Sequence, residues 1–314
     1  MSEILVEKYK PKTFDDMIYH QNIVAILKNN IKNLPHIVLH GPSGIGKTTL
    51  IRILVNTIYK ETDIVRQNLL ILSACNHRGI DIVRKKIKEF AQQSIYSTHR
   101  YKLVILDEVD SMSMESQSAL RRIMEEYSKS TRFIFICNHL SNITDPILSR
   151  CIKLTFKLIP PNKMIKYMKK ICKKEKYSRA IQNSITQICK MGSGDLRKTL
   201  NLLQMVSTMG KNRNVIKENL KYLEEQFDEE NALILLNVFK SNNFNKLRDT
   251  IKKNLHDGYS PNSIINKLFE LILKDSEIDY VKKNDILNEL SNIDHRLCTG
   301  GNGYLNILSL HNVF

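Results

Sequence analysis

The octapeptide Gly41-Pro42-Ser43-Gly44-Ile45-Gly46-Lys47-Thr48 fits the spacing G-x-x-x-x-G-K-[ST]. An apolar run, 36–40, leads into it, and helical periodicity begins near Thr48. That context suits phosphate chemistry. Glycines let backbone N–H groups wrap a phosphate, and a helix N-terminus adds partial positive charge. Lys47 is placed to reach the β- and γ-phosphates, and Thr48 to ligate Mg²⁺, with Thr49 beside it in the first turn. A second string, Leu103-Val104-Ile105-Leu106-Asp107-Glu108-Val109-Asp110, puts two carboxylates at the end of an apolar strand. Alone, that pattern describes many solvated strand ends. Beside a phosphate loop it assigns Asp107 to the Mg²⁺ shell and Glu108 to polarising the attacking water. Such a site hydrolyses a nucleoside triphosphate, as distinct from transferring its phosphoryl group to a second substrate.

The elements that must hold these residues are legible from periodicity. Short runs rich in Ile, Leu, Val and Phe lie at 36–40, 69–73, 102–106, 132–137 and 151–156, each next to a helical stretch. The alternation predicts a parallel sheet covered by helices. Ala119, Leu120, Ile123, Met124 and Tyr127 repeat at helical spacing, with Arg121, Arg122, Glu125 and Glu126 on the other side. The strand pattern stops at Ile159-Pro160-Pro161. From 162 onward the periodicity is helical only, with Met164, Ile165, Met168, Ile171 and Cys172 as one apolar stripe and lysines between. A further break falls near Gly210–Asn214, followed by helices at 229–240, 243–256, 261–274 and 280–290. The reading is an α/β domain over 1–159, a helical lid over 160–220 and an all-α domain over 221–314.

Composition narrows the partners. Of 314 residues, 48 are Lys or Arg and 32 Asp or Glu, a net charge of +16. Such a charge favours a polyanion, nucleic acid first and an anionic membrane second, or else a lysine-rich solvated surface. The excess is uneven. Residues 158–220 hold 14 basic against 3 acidic side chains, whereas 221–314 hold 11 against 14. Six cysteines show no C-x-x-C pair, which argues against a zinc site or a disulfide framework and for a reducing compartment. No apolar leader opens the sequence, and no apolar run reaches the ~18 residues of a membrane span. Only 163–176 has the form of a basic amphipathic helix.

The phosphate loop with Asp107-Glu108-Val109-Asp110 resembles the AAA+ ATPases. Further strings narrow the resemblance to the small subunits of the replication factor C clamp loader. Val6-Glu7-Lys8-Tyr9-Lys10-Pro11 looks like the family's V-E-K-Y-R-P, and Ala119-Leu120-Arg121-Arg122 like its A-L-R-R helix. Cys137-Asn138 ends a strand as the sensor-1 motif does, Ser149-Arg150-Cys151 is the S-R-C box, and Gly194-Asp195-Leu196-Arg197-Lys198 is similar to sensor 2. Toward the C-terminus the likeness is looser, chiefly His295-Arg296-Leu297 followed by Gly300.

The resemblance implies an AAA+ P-loop domain with a five-stranded parallel sheet, a helical lid and a helical collar for oligomerisation. It implies ATP and Mg²⁺ as cofactors. It places the fourth strand between the first and third, so that Asn138 falls between phosphate loop and carboxylates and aligns the water. Arg197 would touch the γ-phosphate from the lid, and Val6, Tyr9 and Pro11 the adenine. Arg150 would reach the ATP of an adjacent subunit, so that active sites lie between subunits. The implied partners are sibling subunits of a hetero-oligomeric, pentameric ring, a sliding clamp and primer–template DNA, inside the cell at sites of DNA replication and without a membrane. For DNA, the loop 74–81 matches the family's A-S-D-E-R-G-I and leads into a basic helix, giving Arg78, Arg84 and Lys88 as candidates. Lys85 and Lys86 read equally as a solvated face. Ile95 and Tyr96 fall where the family touches its clamp, or else belong to the core. Cys151 reads as a packed thiol.

The departures are specific. Lys10 replaces an arginine and loses its planar fork. Cys75-Asn76-His77 replaces Ser-Asp-Glu, and Val109 stands where alanine is commoner. Tyr19-His20 is shared with catalytically degenerate subunits, but the retained Lys47-Thr48 and Asp107-Glu108 pairs argue for an ATP-competent one. Two alternatives remain at this stage: another AAA+ DNA-remodelling ATPase, and a non-hydrolysing scaffold subunit of the ring.

Overall fold

The computed structural model describes residues 4–59, 67–73, 80–93, 101–208, 216, 220, 227, 229–241 and 243–314, with 80–84 as backbone alone. They divide into two compact units, Met1–Ile216 and Lys217–Phe314.

The first unit is built on five parallel strands: β1 (Ile37–His40), β2 (Leu69–Ser73), β3 (Lys102–Asp107), β4 (Thr131–Cys137) and β5 (Ile152–Thr155). Their order is β2-β3-β4-β1-β5. The fourth strand thus lies between the first and third, as expected. Alternation along each strand supplies both faces of the sheet. Ile37, Leu39, Leu103, Ile105, Ile134 and Ile136 pack into one core cluster, with α2 (Gln21–Asn29) and α3 (Lys47–Ile58). Val38, Val104, Leu106, Phe133 and Phe135 enter the other, with α4 (Ile80–Gln92), α5 (Met114–Glu126) and the short α6 (Asp145–Leu148). Burial on both faces is why the central strands β1, β3 and β4 read as nearly unbroken apolar runs, while the edge strands β2 and β5 are partly exposed. Because all run parallel, their carboxyl ends share one edge, where His40 pairs with Cys137 and Ser73 with Asp107.

One charged side chain sits inside this core. Lys102, at the start of β3, has no exposed surface. Its ammonium donates to the Phe90 carbonyl (2.7 Å) and the Gln93 carbonyl, and lies 5.1 Å from the Phe90 ring centroid. These carbonyls close the C-terminus of α4, where a cation suits the helix dipole. Burial lowers the lysine's pKa, and the carbonyls satisfy its protons.

A four-residue helix, α1 (Leu5–Lys8), precedes the sheet, and α7 (Pro161–Lys174), α8 (Arg179–Met191) and α9 (Leu196–Thr208) follow it. Met164, Met168, Ile171 and Cys172 of α7 are at most 1% exposed. The lysines of that helix all lie on its exposed side. Cys151, half-buried against the second cluster, has its thiol pushed up to about 12 by burial, which agrees with a packed and unreactive side chain.

The second unit is helical: α10 (Glu229–Lys240), α11 (Phe244–His256), α12 (Pro261–Lys274), α13 (Tyr280–Cys298) and α14 (Gly303–Ser309). Two points differ from the sequence reading. α13 runs eight residues beyond 290, because Ile293 continues the buried stripe of Ile286 and Leu290 inside a polar segment. It stops where Gly300, at φ 92°, lets the Gly301 N–H return to the Arg296 carbonyl (2.8 Å). α14 was not anticipated; the Asn302 side chain caps it by accepting from Leu305 N–H (3.1 Å).

Candidate nucleotide site

The phosphate loop spans from β1 to α3. Gly41, Gly44 and Gly46 all have positive φ, at 144°, 67° and 101°. At two of them the space requires glycine as well. A Cβ on Gly41 would lie 2.2 Å from the Phe156 carbonyl oxygen, and one on Gly44 would lie 1.9 Å from the Asp195 Oδ1. Gly46 caps α3 with no side-chain acceptor on the helix's first N–H groups. The loop is therefore a cradle of backbone donors at a helix N-terminus, which fits a phosphate.

Lys47 is only 7% exposed. Its ammonium donates to the carbonyls of Gly41 and Pro42 (both 2.6 Å) and to Asn138 Oδ1 (2.9 Å). Burial pulls its pKa down, opposed by Cys137 and by the Asp107 and Asp110 carboxylates. The adjacent Thr48 hydroxyl donates to Asp107 Oδ2 (3.0 Å). These hard oxygens, side by side beneath the cradle, are a donor set suited to Mg²⁺. Glu108 has φ 58° and accepts a hydrogen bond from the Ser73 hydroxyl at the end of β2 (3.2 Å). Asp110 accepts from the N–H groups of Asn138 and His139 (3.1 Å each), fixing the turn after β4.

The start of α9 closes one side of the site. Asp195 Oδ1 caps α9 by accepting from Lys198 N–H (2.9 Å), while Oδ2 accepts from Ser43 Oγ at 3.5 Å. Leu196 N–H donates to the Gly44 carbonyl (3.2 Å). Arg197, the second residue of α9, lines the same cavity as the phosphate loop. At the other end the N-terminal segment packs on the lid: Leu5 N–H donates to Gln204 Oε1 (2.9 Å), and the Tyr9 hydroxyl bonds Glu175, which also pairs with Lys8 (2.7 Å).

The result is a cavity of about 620 Å³. It brings together Val6, Tyr9, Pro11, Ser43, Gly44, Ile45, Gly46, Lys47, Thr48, Thr49, Asp107, Glu108, Asn138 and Arg197. Gly41 and Pro42 are not in its lining, but their carbonyls hold Lys47, which is. Sequence reasoning missed Ile18, Tyr19 and His20 as lining residues, and it gave no role to Ser73, Asp110 or the Asp195 carboxylate. Only Asp195 left a local signal, as an N-cap residue directly before a helix.

Arg150 is elsewhere. It follows α6, pairs with Glu125 of α5, and donates to the Pro146 carbonyl (2.8 Å). It does not line the cavity. Lys88 is exposed on α4, next to buried Ile87. The Arg84 side chain, Arg78, Ile95 and Tyr96 lie outside the described residues.

Gly44→Ala tests the contact between loop and lid. It demands both a left-handed alanine and displacement of Asp195. Strain of about 1–3 kcal/mol corresponds to roughly a 5- to 150-fold loss of ATP-analogue affinity, read by fluorescence titration. Wild-type affinity would show that the loop does not need this approach.

Cradle, buried lysine, paired oxygens and terminal carboxylate together define the nucleotide site of a P-loop ATPase domain. Residues 37–158 match the family described as ATPase family associated with various cellular activities (AAA), and residues 230–311 match the replication factor C C-terminal domain. The chain is 34% identical to replication factor C subunit 2 of Saccharomyces cerevisiae, covering 97% of this chain and 90% of that protein. It is also 34% identical to the replication factor C small subunit of Archaeoglobus fulgidus, covering 96% and 93%. Among solved structures, the Thermotoga maritima RuvB Holliday junction branch migration motor matches with a TM-score of 0.56 and 17% identity, over 80% of this chain and 86% of that one. That likeness speaks for the fold alone.

The chain belongs to the replication factor C small-subunit family, the ATPase subunits of clamp loaders. As a member it is a subunit of a hetero-oligomeric clamp-loader complex.

Proposed function

We propose that this subunit binds ATP with Mg²⁺ in the 620 Å³ cavity and uses its hydrolysis to load a sliding clamp onto primer–template DNA. The observation that carries the reading is the convergence of Lys47, Thr48, Asp107, Glu108, Asn138 and Arg197 on one cavity, with Arg150 outside its lining. The loop N–H groups and Lys47 bind the phosphates. Thr48 and Asp107 would hold Mg²⁺, which when bound would supply charge neutralisation at the phosphoryl oxygens. Glu108, oriented by Ser73, takes the proton of the attacking water, and Asn138 aligns that water between loop and carboxylate. Arg197 reports the γ-phosphate to the lid, and the apolar end with Val6, Tyr9 and Pro11 receives the adenine. Arg150 serves the neighbouring subunit's ATP. Within the first unit, the boundary at Ile159–Pro160 separates the ATP-binding domain from the lid. The helical unit that follows is the oligomerisation collar.

DNA is contacted by α4 through Arg84 and Lys88, with Arg78 before it, and the clamp through Ile95 and Tyr96. The test is ATPase activity of the reconstituted complex with and without primed DNA and clamp. Hydrolysis should rise when both are present. A rate indifferent to both sinks the clamp-loading reading while leaving the ATPase intact.

A further inference from the structure

The charge on α7 is only partly engaged within the chain. Lys163 and Lys174 lie over the rings of Tyr19 and Tyr9 (4.7 and 6.0 Å to the centroids), and the Thr13 hydrogen bonds, helped by Lys170, hold the Asp16 carboxyl below its ordinary range. Lys163, Lys166, Lys169, Lys170, Lys173 and Lys174 are all exposed, and the helix carries no acidic residue. Lys166–Lys170, Lys169–Lys173 and Lys170–Lys174 are like charges one turn apart, an arrangement that destabilises a helix. The acids nearby are engaged with other groups. Glu175 pairs with Lys8 and bonds Tyr9, Asp15 pairs with Lys28 (2.8 Å), and Asp16 accepts from the N–H and hydroxyl of Thr13. Among the described residues, none of the six lysines forms an ion pair within 4.0 Å. Lys170 and Lys174 also share a cavity of about 390 Å³ with Lys12, so the positive surface continues beyond the helix.

Three kinds of partner fit a basic helix, and the burial pattern separates them. A membrane needs the apolar stripe as an anchor. Here Met164, Met168, Ile171 and Cys172 are buried in the lid's own core. An acidic protein surface needs exposed apolar or aromatic anchors at the centre of the contact. No large apolar side chain of α7 is among the exposed ones. A nucleic-acid backbone needs only a row of cations without anchors, and it meets them with evenly spaced phosphates. We propose that the lysine face of α7 is a nucleic-acid backbone contact, separate from the α4 residues and without sequence preference.

The probe is a fluorescent 30-base-pair duplex titrated with the full chain across a salt series. Lys166→Gln/Lys170→Gln/Lys173→Gln should lower the slope of log affinity against log salt by about 2.7, since each lost phosphate contact removes about 0.9. Affinity near 0.1 M salt should fall at least tenfold, while the ATPase rate and thermal midpoint hold. Lys88→Gln in the same background should lower the slope further, as expected for a second contact. The proposal is overturned if the triple variant keeps the wild-type slope and affinity. It is also overturned if polyglutamate of equal charge competes as well as unlabelled duplex. Loss of the Lys88 effect alone would count against the α4 reading and leave the α7 proposal standing.

Discussion

Arg150→Ala is expected to leave ATP binding by this chain unchanged and to slow hydrolysis at the adjoining subunit's site by about 10³–10⁵-fold, the range for an arginine finger. The expectation rests on where the side chain lies. Arg150 is outside the lining of its own cavity and 39% exposed, held by Glu125 and the Pro146 carbonyl. Removing it breaks one half-exposed ion pair, worth about 0–1 kcal/mol, so folding should be untouched. Buried Ile147 still anchors α6 in the core. Arg150→Lys keeps the charge but loses the planar fork and should restore only part of the rate. Single-turnover hydrolysis in a complex with one active site, next to the altered subunit, is the measurement. Wild-type hydrolysis there would remove the intersubunit role.

Lys47→Ala should weaken ATP binding by about 10²–10⁴-fold, taking two charge-assisted contacts at roughly 1.5–3 kcal/mol each. The lysine has a second, structural task, because it ties the carbonyls of Gly41 and Pro42 to Asn138. Lys47 itself lines the cavity, so truncating its side chain opens these acceptors to it and lets water replace the lost donor. The thermal midpoint should therefore move far less than the affinity. Calorimetric titration with a non-hydrolysable analogue separates the two effects. Unchanged affinity would mean that the phosphates are not held here.

These residues were visible in the sequence because the chemistry requires short, ordered strings. Gly41 to Thr48 is one turn, and Asp107-Glu108 one strand end. The three central strands β1, β3 and β4 were visible because burial on both faces makes each a nearly continuous apolar run, and the more exposed edge strands β2 and β5 because they are short and Leu/Ile-bearing. Contacts joining distant segments were not visible. Asp195 meets Ser43 across 152 residues of chain, and Ser73 meets Glu108 across 35, with nothing local to mark either pair. The end of α13 was hidden differently: Ile293 is a single apolar residue in a polar stretch, and only its packed neighbours show the helix continuing. The charge of residues 158–220 was plain in the composition, but its meaning depended on which side of α7 is buried. The buried stripe takes away the apolar anchor that a membrane-surface helix would use.

Lys102 fastens the far end of β3 to the last turn of α4, and the near end of β3 carries Asp107 and Glu108. Strand and helix are thereby spliced into one strut, with a cationic rivet at its foot and the Asp107 and Glu108 carboxylates at its tip. A pull on the last turn of α4 is therefore felt at the foot of the same strand whose other end leads to Asp107 and Glu108.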